Sequence, residues 1–143
     1  MAPIELEPIP VVYVAAADGL AGVSDAWVRL ESSIPSLRGR SFYGTYLDGE
    51  YRACMAAQPS DDANHPSLAR WTIPGGAYAS ARLSGWQKRP RAIREAFEAL
   101  HDTHHVDATR PDIEFYRSER ELIVYVPVAG HGAPPRPLPP AEG

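Results

Sequence analysis

Residues 112–128 read DIEFYRSERELIVYVPV, and this stretch decides the class of fold. Two runs rich in apolar and aromatic residues, Asp112–Arg117 and Glu121–Val128, flank the short polar segment Ser118-Glu119-Arg120. Runs of this length and composition are typical of β-strands, and a short polar segment between them is typical of a tight turn. The stretch therefore predicts an antiparallel hairpin that closes the domain.

A second hairpin is predicted earlier in the chain. Ser41–Leu47 and Glu50–Ala56 are rich in aromatic and small residues, and they flank Asp48-Gly49. Asp-Gly between two such runs is a strong signal for a two-residue turn. The chain therefore holds two predicted hairpins, one in each half.

A segment with helical periodicity precedes each hairpin. In the first segment, apolar residues recur at a spacing that places them on one helical face: Val23, Trp27, Leu30 and Ile34. The second helix begins near Pro90, and its apolar stripe consists of Ile93, Phe97 and Leu100. A strand is predicted before each helix, namely Val11–Ala15 and Arg70–Ala81, and Pro74-Gly75-Gly76 is expected to kink the latter.

The order strand, helix, strand, strand thus occurs twice. We predict an α+β fold in which a tandem pseudo-two-fold repeat forms one curved antiparallel sheet with two helices on one side. The cleft between the halves is the expected ligand site. The domain is expected to span residues 1–128. Residues 129–143, which include five prolines and three glycines, are predicted to be a disordered tail.

The composition of the 143 residues argues against several classes of function. A formal net charge of −4 disfavours electrostatic binding of nucleic acid. Cys54 is the single cysteine, so neither an internal disulfide nor a cysteine-based zinc site can form. No apolar run is long enough for a bilayer, and no signal-peptide pattern is present, so a cytoplasmic protein without membrane contact is expected.

Motifs for cofactor and metal chemistry are also missing from the sequence. There is no phosphate-binding loop, no dinucleotide fingerprint and no serine-hydrolase elbow. His101 and His105 have the spacing of one helical face, but the sequence indicates no third ligand. We therefore predict no cofactor and no metal.

Five segments resemble, in order and spacing, those of the GyrI-like effector-binding domains, and the resemblance runs from about residue 8 to residue 128. They are Ala26–Leu30, Tyr51–Met55, Trp71–Ala79, Asp112–Tyr116 and Val124–Val128. Domains of this family bind small molecules behind the DNA-binding region of MerR-type and AraC-type regulators. Others stand alone as gyrase-inhibiting, drug-binding or detoxifying proteins. Because no helix-turn-helix precedes the first predicted strand, we expect a stand-alone protein without direct DNA binding.

The resemblance implies a pocket for bulky aromatic, often cationic, compounds, with a buried glutamate at its base. By motif position this glutamate is Glu114, and the tyrosine of the closing strand is Tyr125. Further aromatic side chains would line the pocket, and the candidates are Tyr46, Tyr78 and Trp86. Trp27 is interpreted as a core residue because it lies on the helical stripe.

The position of Glu114 in an apolar strand leaves three roles open for it. The carboxyl group can lie at a solvated edge or be satisfied by a tyrosine or arginine. It can be the anionic anchor of a cationic ligand. It can also be a desolvated carboxyl group with a raised pKa, suited to general acid or base chemistry.

Three functions remain open, and the first two use Glu114. The first is a stand-alone protein, monomeric or homodimeric, that binds a hydrophobic aromatic drug or xenobiotic and gives antibiotic resistance by sequestration. The second is a detoxifying hydrolase of strained-ring genotoxic natural products, with Glu114 and Tyr125 as the catalytic residues. The third is a modulator of the gyrase-inhibitor type that acts through its protein surface.

Overall fold

The computed structural model describes residues 3–16, 19–34, 39–58, 61 and 68–129, so most of the predicted tail lies outside the described residues. Short 3-10 helices occupy 19–22 and 86–88. In the described part of the chain, no helix is long and apolar enough to cross a membrane. The other elements, in chain order, are β1 Ile4–Leu6, β2 Ile9–Ala15, α1 Val23–Ser32, β3 Phe42–Leu47, β4 Glu50–Ala56, β5 Ala69–Ile73, β6 Gly76–Ser84, α2 Arg91–Thr103, β7 Asp112–Tyr116 and β8 Glu121–Pro127.

The eight strands form one antiparallel sheet in the order β1-β6-β8-β7-β3-β4-β2-β5. This order is symmetric about the central pair of β3 and β7. Strands β4 and β2 follow β3 on one side, as β8 and β6 follow β7 on the other. The predicted α+β fold with two related halves in one curved sheet is confirmed, and the β3–β7 pair is the seam between the halves.

Each half begins with a strand that was not predicted as an element of its own. β1 has only three residues, and the expected kink in the strand Arg70–Ala81 is a full break into β5 and β6. β1 pairs with β6 and β5 pairs with β2, so the two halves exchange their first strands. The break requires glycine because a side chain at Gly75 would collide with the backbone of Leu6 and Pro8.

Helices α1 and α2 pack on the same face of the sheet. Residues Ala53 and Met55 of β4 lie in the core beneath α1, while Ala77 and Ala79 of β6 lie beneath α2. The strand register places all four residues on one face. The opposite face has its own apolar core, in which buried side chains of the curled sheet pack on one another: Val11, Cys54, Ile73, Tyr78, Ile113, Ile123 and Tyr125.

The helices differ in how completely their apolar faces are packed. Helix α1 buries Ala26 and Leu30 fully; Leu30 belongs to the predicted stripe, and Val23 and Trp27 of the same stripe are partly buried against the core. Helix α2 has no fully buried residue, although Ile93, Phe97 and Leu100 form one apolar stripe. Part of this stripe therefore faces open space between α2 and the sheet.

Candidate functional site

A cavity of about 930 Å³ lies between helix α2 and the centre of the sheet. Its helical wall includes Ile93 and Phe97, which explains why the apolar stripe of α2 is only half-buried. Its other wall consists of residues from β3, β4 and β7. Among the described residues, the lining consists of Gly44, Thr45, Tyr46, Tyr51, Pro90, Ile93, Arg94, Phe97, Glu98, His101, Asp102, Asp112 and Glu114.

Glu114 borders this cavity from the middle of β7, beside the seam of the two halves. The Tyr51 hydroxyl donates a hydrogen bond to Glu114 Oε1 at 2.8 Å, and the Tyr116 hydroxyl donates to the same oxygen at 2.7 Å. Among the described residues, no donor reaches Oε2 and no basic side chain forms an ion pair with this carboxylate. Oε2 is therefore the oxygen available to a ligand.

The proton equilibria of these groups follow from their burial. Desolvation raises the pKa of Glu114 above its ordinary value, and the hydrogen bonds from Tyr116 and Tyr51 offset only part of this effect. Burial, reinforced by the adjacent carboxylate, also raises the pKa of both tyrosines. The hydroxyls therefore keep their protons and remain donors. The ionised carboxylate has no charge partner within the described part of the chain, and a ligand cation would supply one.

The close approach of Tyr51 to Glu114 depends on Gly44. Gly44 is the register partner of Glu114 across β3–β7 and of Ala53 across β3–β4. A Cβ atom at this position would overlap the Tyr51 hydroxyl and the Glu114 carboxylate. Glycine is therefore required here for space, because it lacks the atom that would separate the two side chains.

We expect Gly44→Ala to lower the affinity for an aromatic cation at least tenfold, because the new methyl group displaces the Tyr51 hydroxyl and the Glu114 carboxylate. Fluorescence titration measures this loss. Gly44→Ala combined with Tyr51→Phe is the matched variant, since the phenylalanine removes one of the overlapping oxygens. Partial recovery in the double variant is expected. Full affinity in Gly44→Ala alone would contradict this role of Gly44.

Aromatic side chains from both halves hold the two tyrosines in place. The indole Nε1 of Trp27 on α1 donates to the Tyr51 oxygen at 3.0 Å. The rings of Trp27 and Trp86 each meet the Tyr116 ring edge-to-face, with centroids 5.5 and 5.8 Å away respectively. The buried Nε1 of Trp86 has no hydrogen-bond partner among the described residues. Glu114 thus lies beside an aromatic cluster to which both halves contribute.

Charged groups surround the rest of the cavity. Asp112 lies two residues before Glu114 on β7, and its Oδ2 is 2.9 Å from His101 Nε2 on α2. Burial raises the pKa of Asp112, and His101 offsets part of this rise. Glu98 and Asp102 add two further carboxylates from α2. The electrostatic character of the cavity is therefore predominantly acidic.

The structure brings only part of the predicted site together. Tyr46 lines the cavity with Glu114 and is 39% exposed. Trp86 contacts Tyr116 beside Glu114 and is not among the residues that line the cavity.

The other two predicted tyrosines lie on the opposite face of the sheet. Glu114 is the register partner of Val124, so the alternation along β8 directs Tyr125 away from the helices. Tyr125 instead meets Tyr78 edge-to-face at 6.3 Å. Tyr78 is fully buried, and its hydroxyl donates to the Pro74 carbonyl oxygen at 2.6 Å. The predicted grouping of Glu114 with Tyr125 and Tyr78 in one pocket is therefore not what the structure shows.

The sequence suggested a tyrosine as one possible partner of the Glu114 carboxyl group but did not identify Tyr51 and Tyr116. Tyr116 could have been found, because residues two apart on a strand share a face. Tyr51 could not, since its contact depends on the register of β4 against β3 and of β3 against β7. Trp27, interpreted as core, does pack against the core, and its indole also bonds Tyr51.

The comparisons with known proteins establish the fold. No protein-family model matches the sequence, and no curated protein matches it significantly. The integron cassette protein VCH_CASS2 of Vibrio cholerae is similar in structure, with a TM-score of 0.65 and 15% identity over 88% of this chain and 94% of that one. The C-terminal domain of EcmrR gives a TM-score of 0.62 and 12% identity over 89% and 95%.

A third solved structure, SAV2435 bound to tetraphenylphosphonium, is also similar. Its TM-score is 0.59 and its identity is 16%, over 90% of this chain and 93% of that one. At these identities the likeness shows a shared fold over nearly the whole of each chain.

Proposed function

We propose that this chain is a small-molecule-binding protein of the GyrI-like type and that its cavity binds a bulky aromatic cation. The observation that carries the proposal is the position of the Glu114 carboxylate, which borders a cavity with apolar side chains of α2 in its opposite wall. No donor among the described residues reaches its Oε2 atom. A buried carboxylate without a counter-charge favours a ligand that provides one.

The cavity supports this proposal in size and in the chemistry of its walls. A volume of about 930 Å³ is large for a small-molecule pocket, so the cavity can hold a bulky ligand. Ile93 and Phe97 offer apolar surface, and the Tyr51 ring lies beside the carboxylate. Delocalised cations are attracted to aromatic faces and carboxylates together. The similar protein SAV2435, which was solved with tetraphenylphosphonium, supports the same class of ligand.

Hydrolysis of a strained ring is a second candidate, favoured by the raised pKa of Glu114. In this case the hydroxyls that adjoin the carboxyl group are those of Tyr51 and Tyr116. Tyr125 is on the other face and does not assist Glu114. We propose binding as the function of the cavity, with resistance by sequestration as its consequence.

Incubation with aromatic, cationic and strained-ring compounds in several-fold excess, read by mass spectrometry, tests the proposal. Binding predicts that a cationic compound is retained unchanged at about one equivalent, and the Glu114→Gln variant should retain less of it. Addition of one water to most of the excess would identify a hydrolase and contradict a purely binding role.

Proton release gives an independent prediction. Burial raises the pKa of Glu114 in the free protein, and a bound cation favours the ionised form and lowers this pKa. Cation affinity should therefore increase as pH rises through the raised pKa, and binding should release protons in this range. Calorimetry in acetate and MES buffers measures the release. Equal release from wild type and Glu114→Gln would contradict the assignment to Glu114.

A further inference from the structure

A second carboxylate of the cavity is placed like the first. Asp112 and Glu114 are two residues apart on β7, so both side chains lie on the helix-facing side of the sheet. Two residues along a strand span roughly 7 Å. Both residues line the same cavity. The cavity therefore offers two carboxylates at a fixed spacing along one wall.

Each of these carboxylates has a tyrosine from the first half beside it. The Tyr51 hydroxyl bonds Glu114, and Tyr46 is the register partner of Asp112 across β3–β7. Tyr46 and Tyr51 are themselves partners across the β3–β4 hairpin, and both line the cavity. The combination of a carboxylate and a tyrosine thus occurs at two positions of the wall, and at each it suits a delocalised cation.

Helix α2 faces both positions, and among the described residues none of its arginines forms an ion pair with Glu114 or Asp112. Of its two arginines, Arg91 is exposed, and Arg94, which lines the cavity, is 83% exposed and lies 3.5 Å from the carboxylate of Glu98. Asp102 adds another carboxylate. His101 Nε2 lies 2.9 Å from Asp112 Oδ2, and among the described residues no donor reaches the other carboxylate oxygen of Asp112. The wall therefore presents two carboxylate groups to the cavity, each with an oxygen that no described donor reaches.

The apolar residues opposite this wall indicate the chemical nature of the part of the ligand that would join two positive charges. Ile93 and Phe97 of α2 line the same cavity, so the middle of the ligand contacts aliphatic and aromatic surface. We propose that the ligand of this cavity is an aromatic dication, with one positive charge at Glu114 and the other at Asp112. This inference rests on the proposed function, and it narrows the ligand class from aromatic cations to those with two charges.

A series of three ligands with nearly the same shape tests the proposal. They are N,N′-dimethyl-4,4′-bipyridinium with two charges roughly 7 Å apart, N-methyl-4-phenylpyridinium with one, and neutral 4-methylbiphenyl. Wild type should bind the dication most tightly and the neutral compound most weakly. Asp112→Asn should lower the ratio of dication to monocation affinity about tenfold. Asp25→Asn, which removes an exposed carboxylate on α1, should leave the ratio at its wild-type value.

Two further variants separate the possible failures. His101→Gln removes the imidazole that contacts Asp112 Oδ2, so Asp112 remains available to the ligand and the preference for the dication should be kept or raised. An unchanged ratio in Asp112→Asn, with cation affinity still dependent on Glu114, would overturn the second anchor and leave the proposed function standing. Equal affinity of Glu114→Gln and wild type for the monocation would instead overturn the proposed function itself. Thermal unfolding of each variant confirms that it is folded.

Discussion

Glu114→Gln is expected to lower the affinity for an aromatic monocation about 30- to 100-fold, which corresponds to about 2–3 kcal/mol. Glutamine has nearly the same shape, and its carbonyl oxygen can still accept the hydrogen bonds that Tyr51 and Tyr116 donate. The variant therefore removes the charge and keeps the packing of the cavity. A neutral ligand of the same shape should lose less than about threefold, and the difference between the two losses measures the electrostatic role.

The same variant should not be less stable than wild type at neutral pH. Because the folded-state pKa of Glu114 is raised, the ionised carboxylate destabilises the folded protein. Below the unfolded-state pKa, Glu114 is protonated in both the folded and the unfolded protein, and wild type has its full stability. As pH rises through the raised folded-state pKa, the buried group ionises and this stability is lost. The advantage of Glu114→Gln should therefore increase over this range. Urea unfolding at several pH values measures it, and a large loss of stability at pH 7 would contradict a costly buried charge.

Asp61→Ala is expected to lower the free energy of unfolding by about 3–5 kcal/mol, the largest effect on stability that we predict. Arg40 contacts both oxygens of Asp61, with Nη2 at 2.7 Å and Nη1 at 3.1 Å, and both side chains are buried. The backbone N–H of Gln58 also donates to Asp61 Oδ2 at 2.7 Å, and Arg40 Nη1 donates to the Ala56 carbonyl oxygen. Removing Asp61 leaves the Arg40 charge buried without this partner.

Two controls accompany the measurement by chemical denaturation. Asp25→Ala breaks the exposed pair with Arg29, at 3.6 Å, and should cost at most about 0.5 kcal/mol. Arg40→Met combined with Asp61→Leu removes both charges and should cost less than Asp61→Ala alone. A loss below about 1 kcal/mol in Asp61→Ala would show that this ion pair does not hold the end of β4 to the segment before β3.

The local patterns of the sequence were sufficient for most of the fold. The Asp48-Gly49 turn and the apolar stripe of α1 are determined by neighbours in the chain, and the structure confirms both. β1 was not predicted because three residues are too few to show the alternation of a strand, and because its pairing with β6 is a long-range contact. The exchange of first strands between the halves is therefore visible only in the folded chain.

The composition of the site was harder to predict, for a related reason. β8 is apolar on both faces, so its sequence does not indicate which residues face the helices. Only the register that pairs Glu114 with Val124 places Tyr125 on the far side. The contacts of Tyr51 depend in the same way on two strand pairings and on the absence of a side chain at Gly44. The motif predicted Glu114, but the side chains that contact it could be identified only from the structure.

A structure of the protein with tetraphenylphosphonium tests the central claim most directly. We expect the ligand between α2 and the sheet, with a phenyl ring against Phe97. The phosphonium centre should face Glu114, within about 6 Å of the Tyr51 ring. The same experiment on Glu114→Gln should leave the cavity empty at the ligand concentration that saturates wild type. A ligand on the opposite face beside Tyr125, or equal occupancy in the variant, would contradict this account of the site.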